Sequence, residues 1–168
     1  MLATALALLL VSGFANDQST SSGKQPTFAM SIRLKQNAAN PGGTVTVDVD
    51  LTNTSDKEIV FFTHASVPEY NWAVTTKERG LAPLTPKGNA LAHGTLAFKG
   101  SDGKMRMMGG GSVFSTRVKP GKIFHDSIDI SDYVDLSRPD DYKIRFVRTD
   151  QYTNITVESN TVTLTVAR

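Results

Sequence analysis

The chain has 168 residues, 39% of them hydrophobic and 20% charged, with a formal net charge of +2 and no cysteine. That length suits one domain of the usual ~100–150 residues plus a tail, enough to bury a core, and the apolar fraction is too high for a wholly disordered chain. Zero cysteine excludes disulfides, thiolate zinc sites, iron–sulfur clusters, a cysteine nucleophile and a lipidated N-terminal cysteine.

Residues Leu2 to Phe14 are apolar or small and carry no charge. The run is short of the ~20 residues that span a bilayer, and Gly13-Phe14-Ala15 puts small residues at the −3 and −1 positions of a cleavage site. Residues 1–15 therefore read as a secretory signal, although no Lys or Arg precedes the apolar run; an uncleaved anchor is the alternative. Residues 16–27 (NDQSTSSGKQPT) read as a flexible polar tether, so the folded part is expected from Phe28 onward. Export without cysteine implies a periplasmic or extracellular protein held together by its core alone.

From Phe28 the apolar residues alternate. Phe28, Met30, Ile32 and Leu34 form one run, and Val45, Val47, Val49 and Leu51 a second, separated by the turn cluster Asn40-Pro41-Gly42-Gly43. Each predicts a strand with one buried and one wet face. After the turn Asn53 to Lys57 (NTSDK), Ile59 to Thr63 is an apolar run consistent with a buried central strand. Trp72, Val74 and Thr76 continue the pattern, and Val113 to Val118 resumes it before the turn Lys119-Pro120-Gly121. Phe124, Ile128 and Ile130 share a parity, Tyr142, Ile144 and Phe146 form another strand, and Val162, Leu164 and Val166 the last. Tyr133 and Leu136 are expected to plug the end of the core.

With about seven strands and no convincing amphipathic helix, the predicted fold is all-β, an antiparallel immunoglobulin-like β-sandwich over residues 28–168. Tyr142 opens the penultimate strand after a Pro-containing turn, as the tyrosine corner of that fold class does. Asn53-Thr54-Ser55 and Asn154-Ile155-Thr156 match the glycosylation triplet.

Two stretches resemble known families. LTNTSDKEIVF from Leu51, YNWAV from Tyr70 and VKPG from Val118 are similar to the core pattern of the bacterial intracellular proteinase inhibitor family. The stretch from Val118 to Val166 resembles secreted bacterial immunoglobulin-like domains and the β-domain of deuterolysin-type metallopeptidases. The resemblance covers roughly two thirds of the chain after the signal and implies a fold; no functional residue carries over, and no H-E-x-x-H motif is present.

Residues 77–122 mostly break the strand pattern and read as a long Gly-rich insertion. Nine basic residues there (Lys77, Arg79, Lys87, Lys99, Lys104, Arg106, Arg117, Lys119 and Lys122) face only Glu78 and Asp102, giving +7 against −5 in the flanks. Such a segment could meet an acidic polysaccharide, anionic lipid or nucleic acid; the expected partner is an acidic polysaccharide or an unknown protein, with Lys99, Lys104, Arg106 and Arg117 the candidate binding residues. The glycines fit no phosphate-cradling loop, and no nucleic-acid partner is expected. Met105, Met107 and Met108, with His93 in the same segment, suit Cu(I) or equally act as soft packing groups, and no His lies within a few residues of them; Asp126, Asp129, Asp132, Asp135, Asp140 and Asp141 fit no calcium-loop spacing, with Asp129 expected to point outward and Asp132 and Asp135 to cap turns.

Catalysis has little support: no nucleophile elbow is present, and His64 stands alone at a strand end. Tyr70 and Trp72 share a parity that would suit a sugar-stacking platform, but a Trp there more often anchors a core. The expectation is a non-enzymatic exported binding or accessory module without metal or cofactor, touching a membrane only if the signal is retained. A secreted proteinase inhibitor and a periplasmic copper-binding protein are the alternatives.

Overall fold

Alternation of buried and exposed side chains becomes sheet wherever the sequence sustains it. The computed structural model describes residues 24–64, 67–95, 97–108 and 111–167; the expected signal and most of the expected tether lie outside these. In chain order come β1 (Phe28–Leu34), β2 (Ala38–Ala39), β3 (Thr46–Asn53), β4 (Ile59–His64), β5 (Asn71–Thr76) and β6 (Gly80–Leu81), then helix α1 (Pro86–Ala92). They are followed by β7 (Ala97–Lys99), β8 (Met105–Met107), β9 (Val113–Val118), β10 (Ile123–Asp129), a 3-10 turn (Ile130–Asp132), β11 (Asp140–Thr149), β12 (Thr156–Glu158) and β13 (Val162–Val166).

One sheet has the order β1-β3-β10, antiparallel throughout, with Ile32 opposite Val49 and Ile128 opposite Val47. A second runs β2-β13-β11-β5-β6, with β12 also on β11; β2 and β13 pair in parallel. Two antiparallel two-stranded ribbons, β4-β9 and β7-β8, complete the described strands. Side chains of both larger sheets meet in one core: Ile32, Val47, Val49 and Leu51 from the first, and Val74, Ile144, Phe146 and Leu164 from the second. Phe61 ties the β4-β9 ribbon to that core, edge-on to Phe28 at 5.3 Å and stacked on Phe124 at 5.5 Å. Aromatic pairs of this kind add roughly 0.5–1.5 kcal/mol beyond the area they bury.

Two motifs singled out in the sequence meet in space. Asn53, 1% exposed, donates through Nδ2 to the carbonyls of Lys57 and Val118, both at 2.8 Å, while its Oδ1 accepts from Ser55 N–H at 2.9 Å. Its backbone exchanges bonds with Gly121 and Lys122, and Gly121 takes φ +71°, which favours glycine. The NTSDK turn is thus docked on the VKPG turn by one buried amide. That burial also makes Asn53 unsuited to carry a glycan. Tyr142, 1% exposed, donates its hydroxyl to the Arg138 carbonyl at 2.8 Å, and Tyr133 and Leu136 are buried as expected.

Several expectations need correction. Among the described residues thirteen strands form rather than about seven; five of them have two or three residues, too few for an alternating pattern. A helix is present, α1, whose seven residues are too short to show a periodic stripe. Its start is nonetheless written in the sequence: Thr85 Oγ1 accepts from Gly88 N–H and Pro86 follows in the first turn. The segment 59–63 is not a buried central strand but half of a ribbon, with Phe62 40% exposed. The insertion 77–122 holds β6, α1, β7, β8 and β9. Among the described residues, no helix is long and apolar enough to cross a membrane.

Candidate functional site

The basic insertion resolves into two separate places. Lys99, Lys104 and Arg106 lie on one hairpin, β7-β8, with Lys99 opposite Met105 and Phe98 opposite Arg106. Gly100 N–H to Lys104 O and Gly103 N–H to Gly100 O, both 2.9 Å, close its turn, and Gly103 has φ +79°. Arg117 lies instead on β9, in the other ribbon, 3.9 Å from Glu58. It does not join the other three.

Within the hairpin the cations differ. Arg106 is held two-pronged by Asp102, Nη1 to Oδ1 at 3.0 Å and Nη2 to Oδ2 at 3.1 Å. The Lys104 amide on Asp102, assisted by that guanidinium, holds the Asp102 carboxyl below the ordinary aspartate range. Lys99 and Lys104 make no ion pair among the described residues. Their charge is therefore the uncommitted part of the hairpin.

Beneath the hairpin is an open groove of about 850 Å³, whose lining includes Thr85, Lys87, Phe98, Arg106, Met107 and Tyr133. The opposite wall is α1. Thr85 caps that helix and donates its hydroxyl to the Asp132 carbonyl at 2.6 Å, and Lys87 Nζ lies 2.5 Å from Asp132 Oδ2 and 4.5 Å from the centre of the Tyr133 ring. Burial acts to lower the Lys87 pKa, but its hydrogen bond to Asp132 and the neighbouring Tyr133 outweigh it, so the ammonium is held above the ordinary lysine value. Burial raises the Tyr133 hydroxyl, offset in part by Lys87. Each wall thus carries an ion pair at neutral pH, Arg106 with Asp102 and Lys87 with Asp132, and Asp132 also lines the groove. Lys87 was one of nine basic residues by composition; its pairing across 45 positions with Asp132 has no local sequence signal.

Gly88 fixes the far wall. A Cβ built on it would sit 1.9 Å from the Tyr133 carbonyl oxygen. Gly88→Ala is expected to push α1 off the 3-10 turn and destabilise the protein by about 1–3 kcal/mol, an overpacking cost readable in a urea midpoint. An unshifted midpoint would mean that α1 is not docked there.

No family model and no curated protein matches this chain.

The remaining sequence candidates do not assemble into a site. Met105 and Met107 are about 70% exposed on β8, whereas Met108 is 4% exposed; Met107 and Met108 line the groove and Met105 does not. His93 Nδ1 bonds the Asn89 carbonyl at 2.7 Å at the end of α1. The aspartates are distributed over different tasks. Asp129, expected to point outward, caps the 3-10 turn, and Asp132, expected to cap a turn, pairs with Lys87 instead. Asp135 does cap, at Ser137; Asp126 accepts from the Tyr70 hydroxyl, and Asp140 pairs with Arg79. His64 bonds Glu69 at the rim of a cavity of about 160 Å³ that also touches Asp126, Asp129 and Asp132. Among the described residues, no group of three His, Cys, Asp or Glu side chains is placed to hold a metal ion. Tyr70 is buried, which removes half of the supposed stacking platform; Trp72 is half-buried against Tyr133 and Phe146, at 5.0 and 6.2 Å.

Proposed function

We propose that this chain is a non-enzymatic, exported binding module with an immunoglobulin-like β-sandwich, which holds an acidic polymer or the acidic surface of a protein through the β7-β8 hairpin. The fold reading is supported by the partition of β1, β3 and β10 from β5, β11 and β13 around one core, and by the Tyr142 hydroxyl on the Arg138 carbonyl, the bond a tyrosine corner makes. Export to the periplasm or beyond rests on the uncharged apolar run of residues 2–14. The observation that carries the binding reading is the pair Lys99 and Lys104, without an ion-pair partner among the described residues, on the strand and turn of a closed hairpin above a groove whose own cations, Arg106 and Lys87, are paired with Asp102 and Asp132. Uronate carboxylates of a polysaccharide would meet Lys99 and Lys104 on the hairpin's strand and turn, and Phe98 offers an apolar surface for ring faces from the groove side.

Replacing Lys99, Lys104 and Arg106 together by Glu is expected to weaken retention on a polyuronate column at least about tenfold, roughly 1.4 kcal/mol. Retention of the unaltered protein should fall with added salt, because exposed charges are screened. Lys99 and Lys104 should contribute more than Arg106, whose guanidinium is already held by Asp102. Unchanged retention in the triple variant sinks the assignment.

A proteinase inhibitor is the second reading. The hairpin favours it, because residues 97–107 form a closed ribbon and an ordered loop resists cutting better than a shapeless one. Loss of protease activity with intact protein would support inhibition; rapid clipping within the hairpin would end it.

A further inference from the structure

The two edges of the β4-β9 ribbon are treated differently. On the β4 side the backbone is covered by side chains: Val60 N–H donates to the Tyr152 hydroxyl at 2.8 Å, Val60 O accepts from Gln151 at 2.9 Å, and Phe62 O accepts from Arg148 at 3.2 Å. Those three residues occupy the positions an added strand would take. On the β9 side no backbone hydrogen bond is made among the described residues. Its sequence, VFSTRV, contains no Pro, Gly or Lys, and its one charged residue, Arg117, lies 3.9 Å from Glu58, just before the neighbouring strand. Val113 and Phe114 are each 57% exposed along it.

We infer that this free edge pairs with the same edge of a second copy, β9 against β9, antiparallel about Thr116. Edge-to-edge addition with a two-fold axis perpendicular to the sheet keeps each residue on its own face, so even-numbered residues must meet even-numbered ones. With the axis at Thr116, Thr116 faces its own copy, Phe114 faces Val118 of the second copy, and Ser115 faces Arg117. Thr opposite Thr is a favourable cross-strand pair, and Phe114 reaches the edge of Val118 of the second copy, a side chain 4% exposed that already packs in the core. No like charges stand opposite each other, and each Arg117 has Glu58 of its own chain 3.9 Å away. The face that holds Phe114 also holds Phe61 and Ile59, so the joined sheet extends an apolar surface that already begins in the core. This match between the strand and itself points to a second copy as the occupant rather than to an unrelated peptide.

Sedimentation of the purified protein over a concentration series tests the pairing. The unaltered protein should show a monomer–dimer equilibrium. Thr116→Lys and Thr116→Glu each place like charges across the axis and should weaken dimerisation roughly a hundredfold or more. Mixed in equal amounts, they should form a heterodimer, which also shows that both variants fold. Glu replacements of Lys99 and Lys104 should leave the dimer untouched, separating this interface from the hairpin. A monomer at every concentration, dimerisation of both Thr116 variants at the unaltered strength, or folded variants that fail to pair when mixed would each overturn the inference.

Discussion

Phe146→Ala is expected to cost about 3–5 kcal/mol of stability, the range for truncating a fully enclosed aromatic. Phe146 is 0% exposed on β11, between β5 and the strands that follow, with Tyr70 at 5.9 Å and Trp72 at 6.2 Å between ring centres. Its backbone is also fixed from β12's end, donating to Ser159 Oγ and accepting from Ser159 N–H, both at 2.9 Å. Neighbours pinned in this way cannot collapse into the space left behind. The cost should therefore fall near the top of the range, while Phe146→Leu, which keeps most of the volume, should cost nearer 1 kcal/mol. Trp72 is the sole tryptophan of the chain, so its fluorescence reports this region directly during urea unfolding. The midpoint should fall with the slope unchanged. A loss under about 1 kcal/mol would mean that the two sheets do not close over Phe146.

Such residues were legible because a half-buried strand writes itself in the sequence with period two. The runs Phe28–Leu34 and Thr46–Asn53 alternate without a break, and the structure buries the same parity the sequence marks as apolar. The eight strands of five or more residues all coincide with predicted runs. What fails is the reading of short or one-sided elements. β7 is AFK and β8 is MRM, three residues each, and neither burial nor exposure alternates in so few positions. Ile59 to Thr63 misleads for the opposite reason: four consecutive apolar side chains suggest two covered faces, yet only the face of Ile59 and Phe61 packs on the core, and Phe62 on the other face is 40% exposed.

Charge was legible as a sum and illegible as a place. Composition locates an excess of cations in residues 77–122, but only pairing register assigns Lys99 and Arg106 to one hairpin and Arg117 to another ribbon. The far wall of the groove depends on Lys87 and Asp132, and the carboxylate lies in the acidic stretch the sequence sets against the basic one. A net charge per segment cannot show that two segments of opposite sign neutralise each other locally.

Asp150→Asn is expected to cost about 2–3 kcal/mol near neutral pH and progressively less as pH falls below ~3.9. Asp150 is 0% exposed, in the turn that follows β11. One carboxylate oxygen accepts from Thr27 N–H at 2.6 Å and from Thr153 Oγ1 at 2.8 Å; the other accepts from Tyr152 N–H at 2.9 Å. The bond to Thr27 joins the entrance of β1 to a turn 123 positions away. Burial pushes the carboxyl up, but these donors pull it down further, so its pKa in the folded protein lies below the ordinary aspartate value. A group whose folded pKa is depressed contributes fully above its unfolded value, near 3.9, and loses that contribution as pH falls through the folded value. An amide offers one oxygen where three donors converge and points its NH2 at one of them, so the variant lacks this contribution at every pH. Other carboxylates, including Asp102 and Asp135, whose pKa values are also lowered, are common to both proteins and cancel in the difference. Urea unfolding of both proteins at pH ~7 and at pH ~3 should show the gap narrowing. A gap that stays constant across that interval would mean that the charge on Asp150 does not hold Thr27.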